Sequence, residues 1–320
     1  MTSTGCVCMA KGTMKTICLT SLGKHDIKSF INSFDTILTD CDGVLWLGSE
    51  LIPGANIALN TFRNLGKKIF YVTNNSTKSR EEYIDKFRKL GFVASEEEIL
   101  SSSYLSARYL NDIGFKKKVY VFGTSGITKE LDKVGIHHTE VGPDPMVCDM
   151  GTLVSSKTKL DPEIGAVIVG FDEQISYPKI LKAGSYLKNP DCLFLATNTD
   201  QQFPSKSNIV IPGAGCIVAA VECCAGRKPK VIGKPGDYIR DYLIKKHNIN
   251  PQRTLMIGDR GNTDILLGTR CGFKTLMVLT GVSSLVDIEQ WEKSDDKEIL
   301  GCVPNYYVNT LADVVPLLPK

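Results

Sequence analysis

The sequence predicts an α/β protein: a doubly wound, parallel, Rossmann-like core with an inserted α/β cap domain. Three observations carry this reading. Residues 34–73 alternate strand, helix and strand, residues 235–279 do so again, and the stretch between them follows a different pattern. Two matching outer segments around an unlike middle describe one sheet interrupted by an insertion at an exposed loop.

Each element has its own signal. Residues 34–39 (FDTILT) are an apolar, β-branched run, and Pro53 to Leu65 reads as a helix with Ala58, Phe62 and Leu65 on one face and Gly66 as its stop. Residues 68–73 (KIFYVT) form the next strand, which makes a βαβ unit with parallel strands and a right-handed crossover. Ser79 with Glu82, and Ser95 with Glu98, have capping-box spacing. In the second half, Pro235 to His247 reads as a helix, 254–258 as a strand, 263–271 as a helix and 274–279 as a strand. In the middle, 119–123, 166–171 and 193–197 are strand-like, 125–134 is a helix, and 142–158 is a loose Gly/Pro/Ser-rich stretch. The expected division is a core of 26–114 and 229–320 with an insert of 115–228. Residues 1–25 carry Lys11, Lys15 and Lys24 but no acid, no Arg and no continuous apolar run, so they read as a flexible tail rather than a targeting peptide.

Composition narrows the function. A chain of 320 residues with 42% apolar and 23% charged residues is long enough to bury a sizeable core. A net charge of +3 is too small to indicate a nucleic-acid or membrane partner, and no apolar run is long enough to span a bilayer. Eleven scattered cysteines without a C-x-x-C pair suit reduced thiols in a cytoplasmic protein rather than a disulfide framework or a zinc site.

Four motifs bear chemistry, three of them directly after a strand, where open parallel sheets bind ligands. Asp40-Cys41-Asp42-Gly43 puts two carboxylates at one strand tip, and a hard cation such as Mg²⁺ takes oxygen ligands from such a cluster. Thr73-Asn74-Asn75 offers a hydroxyl, amides and backbone N–H groups for phosphate oxygens. Lys234 precedes Pro235, which suits the first position of a helix; a cation there is unfavourable for the helix dipole unless an anion shares the spot. Asp259 and Asp264 add two more acids at a later strand tip, one able to complete a metal site and the other to orient it. Taken singly, each has a plain structural reading as a polar turn, an exposed lysine or a helix cap. Their order along the chain is what speaks for a site.

That order resembles the haloacid dehalogenase superfamily. DCDGVLW (40–46), VTNNSTKSR (72–80), GAGCIVAAVE (213–222) and IGKP (232–235) resemble its eukaryotic phosphoglycolate and pyridoxal phosphate phosphatases, also called 4-nitrophenylphosphatases. The resemblance implies that Asp40 is the nucleophile, and that Asp42 is the general acid and base, its main-chain carbonyl also binding metal. It gives Thr73, Asn74 and Asn75 the transferring phosphoryl group, Lys234 the charge between nucleophile and phosphate, Asp259 the Mg²⁺, and Asp264 a supporting place behind it. The implied partner is a small phosphorylated metabolite, and the implied assembly a homodimer through the cap. A Leu-Glu pair often found between the positions of Arg260 and Thr263 is here Gly261-Asn262, which leaves the ligand positions intact.

Asn198 to Pro204 resembles the family's substrate-specificity loop. Phe171 and Phe203 stand where pyridoxal phosphatases have a Tyr and a His; Phe171 resembles the phosphoglycolate group and Phe203 neither group, so the substrate expected is of the phosphoglycolate type, with pyridoxal phosphate as the alternative, the plain structural reading being that both rings are cap core. A dehalogenase would need neither metal nor Asp42, and a phosphomutase usually carries a different cap. A catalytically silent binding protein on this fold remains the competing class, which turnover of an aryl phosphate separates. His25, His137, His138 and His247 lie outside every motif. Cys41, between the two acids, is either a buried inert thiol or a point where oxidation blocks the site.

Overall fold

The computed structural model describes residues 15–203 and 209–319; most of the expected N-terminal tail, and Pro204 of the specificity loop, lie outside them. The strands in chain order are β1 (Ile17–Cys18), β2 (Thr36–Thr39), β3 (Trp46–Leu47), β4 (Glu50–Leu51), β5 (Lys68–Thr73), β6 (Ile99–Ser101), β7 (Lys118–Phe122), β8 (Ile164–Val169), β9 (Leu193–Ala196), β10 (Lys230–Val231), β11 (Thr254–Gly258), β12 (Lys274–Val278) and β13 (Tyr306–Val308).

Seven strands form the main sheet in the order β1-β13-β12-β11-β2-β5-β6, every neighbour parallel. Successive residues of each inner strand go to opposite faces. Ile37, Ile69 and Ile257 join one buried cluster, while Leu38, Phe70 and Met256 join the other. A sheet covered on both faces needs such unbroken apolar runs, which is why these strands were legible without polar alternation. The chain winds outward from β2 through β5 and β6 on one side, then through β11, β12 and β13 on the other. Strand order therefore reverses beside β2, and a crevice opens at the carboxyl ends of β2 and β11.

The second sheet, β10-β9-β8-β7, is also parallel and is drawn from residues 118–231. Helices Tyr177–Leu187 and Ala214–Ala225 cover one face, sharing a core that includes Phe122, Val167, Val169 and Phe194. Helix Ser125–Lys133 covers the other face through Ile127 and Leu131. That helix also meets the main sheet's loops: buried Glu130 accepts from the Arg80 main-chain N–H at 2.7 Å and from its Nε at 3.2 Å. Arg80 in turn lies 3.7 Å from the Tyr104 ring centre.

Several expectations change. Residues 17–25 are not a loose tail: β1 pairs with Tyr306 and Tyr307, Leu19 is buried, and a helix starts at Lys24. The 235–247 helix begins only at Tyr238, so Lys234 does not stand at a helix N-terminus; it precedes a cis proline in a turn closed by Gly236 N–H to the Gly233 carbonyl at 2.7 Å. Residues 261–265 make a wide π-type turn before the helix Leu266–Cys271. The Ser79–Glu82 capping box heads the helix Arg80–Lys89 as expected, whereas the Ser95–Glu98 box closes only a single turn. No helix among the described residues is long and apolar enough to cross a membrane, and their nine cysteines are free thiols.

Candidate active site

Asp40 and Asp42 follow β2, Thr73 to Asn75 follow β5, and Asp259 follows β11, so the topology alone brings three of the four motifs to one crevice. Asp40 is fixed by its own N–H, which donates to Ile257 of β11 at 2.9 Å. The carboxylates of Asp40, Asp259 and Asp264 converge, with ligand atoms all within 4.8 Å of one another and all three residues buried.

Lys234 reaches this cluster with its side chain almost fully buried. Its Nζ lies 2.6 Å from Asp40 Oδ1 and 2.8 Å from Asp264 Oδ1, and donates to the Val72 carbonyl at 3.0 Å. Asn74 sets its place: Oδ1 accepts the Lys234 main-chain N–H at 2.8 Å, and Nδ2 donates to the Lys234 carbonyl at 3.1 Å. Burial alone would depress the ammonium, but the Asp264 and Asp40 charges outweigh it and keep Lys234 protonated.

One lysine does not balance three buried acids. Burial raises Asp40 against the pull of Lys234. Burial, then the charges of Asp40 and Asp264, hold Asp259 well above the usual carboxylate range. Burial likewise lifts Asp264 to about 6, although Lys234 opposes it. A buried group of acids that resist ionisation is a donor set short of positive charge, and an oxygen-seeking divalent cation fits it.

Glycines make the convergence sterically feasible. A Cβ on Gly43, which has φ +87°, would stand 2.4 Å from Asp259 Oδ2, and one on Gly281 would stand 1.8 Å from it. The same Oδ2 accepts the Val282 N–H at 2.8 Å. A Cβ on Gly258 would strike the Asp264 side chain. Asp264 Oδ2 accepts the Arg260 main-chain N–H at 3.1 Å, so both of its oxygens are engaged, in keeping with a supporting place. Gly261 also has a reason: its Cβ would meet the Trp291 ring at 2.3 Å, so this departure from the family pattern is packed under an indole and buried.

Asp42 stands apart. Its side chain does not join the three-acid cluster; Oδ1 accepts the Trp46 indole N–H at 2.9 Å. Trp46 is wedged against Phe87 and Phe92, and Lys86 lies over its ring. Burial raises the Asp42 carboxyl, partly offset by Lys86, so this acid holds a proton more readily than an exposed aspartate does. Thr73 lines the site, and its Oγ1 accepts the Asn75 N–H at 3.1 Å. The Asn75 side-chain oxygen is taken up locally by Thr77.

A loop from the second sheet roofs these groups. Asp200, Gln202 and Phe203 close an inner chamber of about 50 Å³ with Asp40, Asp42, Thr73, Lys234 and Asp259. Outside lies an open cleft of about 810 Å³ that shares Asp200, Gln202, Phe203 and Arg260 with the chamber. The glycines of the GAGC motif allow this roof: Cβ atoms on Gly213 and Gly215 would meet the Asp200 and Thr199 carbonyls at 2.2 and 2.4 Å. The rings of Phe171 and Phe203 pack edge to face at 4.9 Å, but only Phe203 lines the chamber. None of the four histidines lines it. Asp200 and Arg260 were not singled out from sequence, since each gains its place through contacts with residues distant in the chain.

Acids at the switch point of a parallel sheet, a buried lysine among them and a roof from an inserted sheet describe an α/β enzyme suited to phosphoryl transfer. Family models agree: haloacid dehalogenase-like hydrolase matches residues 37–137 and HAD-hydrolase-like matches 231–314. The chain belongs to the haloacid dehalogenase-like hydrolases, on their phosphatase branch. It is 43% identical over 305 residues to mouse glycerol-3-phosphate phosphatase (93% of this chain, 95% of the relative). It is 41% identical over 302 residues to phosphoglycolate phosphatase 2 of Arabidopsis thaliana (93% and 97%). Among solved structures, 4-nitrophenylphosphatase from Thermotoga maritima superposes with a TM-score of 0.73 at 26% identity (89% of this chain, 98% of that one). Glycerol phosphate phosphatase from Mycobacterium tuberculosis, in complex with magnesium, gives 0.71 at 25% identity (88% and 77%).

Proposed function

We propose that the protein is a Mg²⁺-dependent phosphatase that hydrolyses small acyclic phosphate monoesters, of the phosphoglycolate type, through a phosphoryl group held on Asp40. The observation that carries this is the pairing of Asp40 with Lys234 beside Asp259 and Asp264, in a chamber large enough for little more than a phosphoryl group. Residues 115–228 act in this reading as the cap that chooses the rest of the substrate.

The steps follow from the residues present. Lys234 holds Asp40 Oδ1 and thereby orients the carboxylate, which attacks phosphorus as the ester P–O bond breaks. Asp42, protonated and aimed by Trp46, gives its proton to the leaving alkoxide. The deprotonated Asp42 then takes a proton from water, whose oxygen attacks phosphorus and releases Asp40 and inorganic phosphate. Thr73 and the N–H groups after it bind the phosphoryl oxygens. Asp40, Asp259 and the Asp42 main-chain carbonyl would hold the Mg²⁺, which reduces the repulsion between carboxylate and phosphate.

The ring pair favours an acyclic substrate over pyridoxal phosphate. The edge of one phenylalanine ring rests on the face of the other at 4.9 Å, which leaves no slot between Phe171 and Phe203 for a pyridine. The test compares phosphoglycolate, glycerol 3-phosphate, pyridoxal phosphate and 4-nitrophenyl phosphate, with Mg²⁺ and with chelator. Turnover that needs the metal, and falls at least about a thousandfold in Asp40→Asn, is expected. An intact fold that hydrolyses none of the four sinks the reading in favour of a binding protein.

A further inference from the structure

Among the described residues, two cations line the inner chamber, Lys234 and Arg260. Lys234 is committed to Asp40, Asp264 and the Val72 carbonyl. Arg260 is placed differently, because it lines both the chamber and the outer cleft and so stands at the threshold between them. Its side chain is only 14% exposed. One guanidinium nitrogen donates to the Gln202 carbonyl at 3.1 Å, and the other lies 3.4 Å from Asp200 Oδ1. A well-made guanidinium–carboxylate contact is about 2.7–2.9 Å, so this one is loose. Asp200 has a second hold, since Asn74 Nδ2 donates to its two oxygens at 3.1 and 3.3 Å.

An ester whose phosphoryl group sits against Asp40 in a chamber of about 50 Å³ would find room for its tail in the cleft of about 810 Å³ that Arg260 also lines. We propose that Arg260 is the specificity-determining cation, binding the carboxylate of a phosphoglycolate-type substrate, and that Asp200 stands in for that carboxylate while no substrate is bound. The inference rests on the phosphatase reading above and adds the chemical class of the second substrate group. When the ester arrives, Arg260 exchanges one carboxylate for another and Asp200 keeps the amide of Asn74. An uncharged tail gains nothing from the exchange. A planar fork of donors matches a carboxylate in two places, so lysine replaces it only in part.

The experiment measures kcat and KM for phosphoglycolate, glycerol 3-phosphate and 4-nitrophenyl phosphate in the Mg²⁺-loaded wild type, Arg260→Met, Arg260→Lys and Asp200→Asn. Arg260→Met should lower the ratio of kcat/KM for phosphoglycolate over glycerol 3-phosphate by about ten- to a hundredfold, mostly through KM. Arg260→Lys should regain part of it. Asp200→Asn should move the ratio the other way, because the competing carboxylate is gone. A role in merely holding the roof loop would make every variant lose all three esters alike, and that result overturns the proposal. So does a wild type that hydrolyses all three without favouring the carboxylated ester, though it leaves the phosphatase reading standing. A wild type that hydrolyses none removes the phosphatase reading itself. If Arg260→Met does not fold, Arg260→Lys and Asp200→Asn still have to shift the ratio in opposite directions.

Discussion

Asp42 sits beside the catalytic cluster without belonging to it, and its indole partner explains how one motif yields two kinds of acid. Asp40 faces an ammonium at 2.6 Å, which suits the attack proposed for it, whereas Asp42 faces an indole N–H at 2.9 Å and is raised by burial. The two roles separate kinetically. With Asp42→Asn, 4-nitrophenyl phosphate should still phosphorylate Asp40, since nitrophenolate leaves without a proton, but hydrolysis of the phosphoenzyme should stall. Rapid mixing should show one equivalent of nitrophenolate released in a burst and then turnover slowed about a hundredfold or more; loss of the burst itself would refute this division of labour. Cys41, between them, is fully buried, and burial with the charges of Asp40 and Asp42 pushes its thiol well up. It is therefore a poor nucleophile. Iodoacetamide should label exposed Cys216, Cys223 and Cys224 in the folded protein and leave Cys41 unmodified, as peptide mapping would show.

At the scale of elements, the site depends on loops that pass closer together than any side chain permits. Gly213 is the clearest case outside the acid cluster, because its absent Cβ would collide with backbone rather than with a movable side chain. Gly213→Ala should lift the 199–203 roof, raising KM for small esters about tenfold or more while the Mg²⁺ concentration for half-maximal activity stays put. An unchanged KM would mean that the roof does not shape the substrate site. The strands carrying the acids could be read from sequence since burial on both faces leaves an apolar run ending in polar residues, as FDTILT ends in Asp40 and TLMIG in Asp259. Lys234 was found for a partly wrong reason. Pro235 suggested a helix start, yet Asn74 holds the lysine from 160 residues away, a contact with no local signal. Arg260 lacks a local signal for the same reason: its side-chain partners lie on the roof loop, as the Arg260–Gln202 separation of 58 residues shows. Gly261 has no local signal either: Trp291, thirty residues on, supplies the side chain that fills the space a Cβ would take.

For the molecule as a whole, the buried acids should make stability depend on pH and, on the proposed reading, on metal as well. Asp264, raised to about 6, binds protons more readily folded than unfolded. Its contribution is therefore fully present below about 3.8 and is lost as pH rises through about 6. Mg²⁺ should reverse that loss, so the rise in melting temperature on adding it should be larger at pH 7 than at pH 5; at saturation a hundred times over its Kd the gain is about 2.7 kcal/mol. Equal shifts at both pH values, by calorimetry, would separate the metal from these carboxylates. The two sheets are tied by Glu130 to Arg80, and Glu130→Ala should cost about 2 kcal/mol in urea unfolding, because it leaves the main-chain N–H and Nε of a largely buried arginine without their acceptor, while Glu96 keeps a terminal nitrogen at 3.0 Å. The sheet order has a further consequence, for a chain still being made. Strands β7, β8, β9 and β10 lie within one uninterrupted stretch, so the smaller sheet can close as soon as residue 231 has cleared the ribosome. β2 must wait for β11, more than two hundred residues later, and β1 for β13 near the very end. Nascent chains halted after residue 231 has emerged but before β11 has should thus protect the insert from protease while Asp40 still hangs from an unfinished edge, so that this aspartate is synthesised early but set in place last.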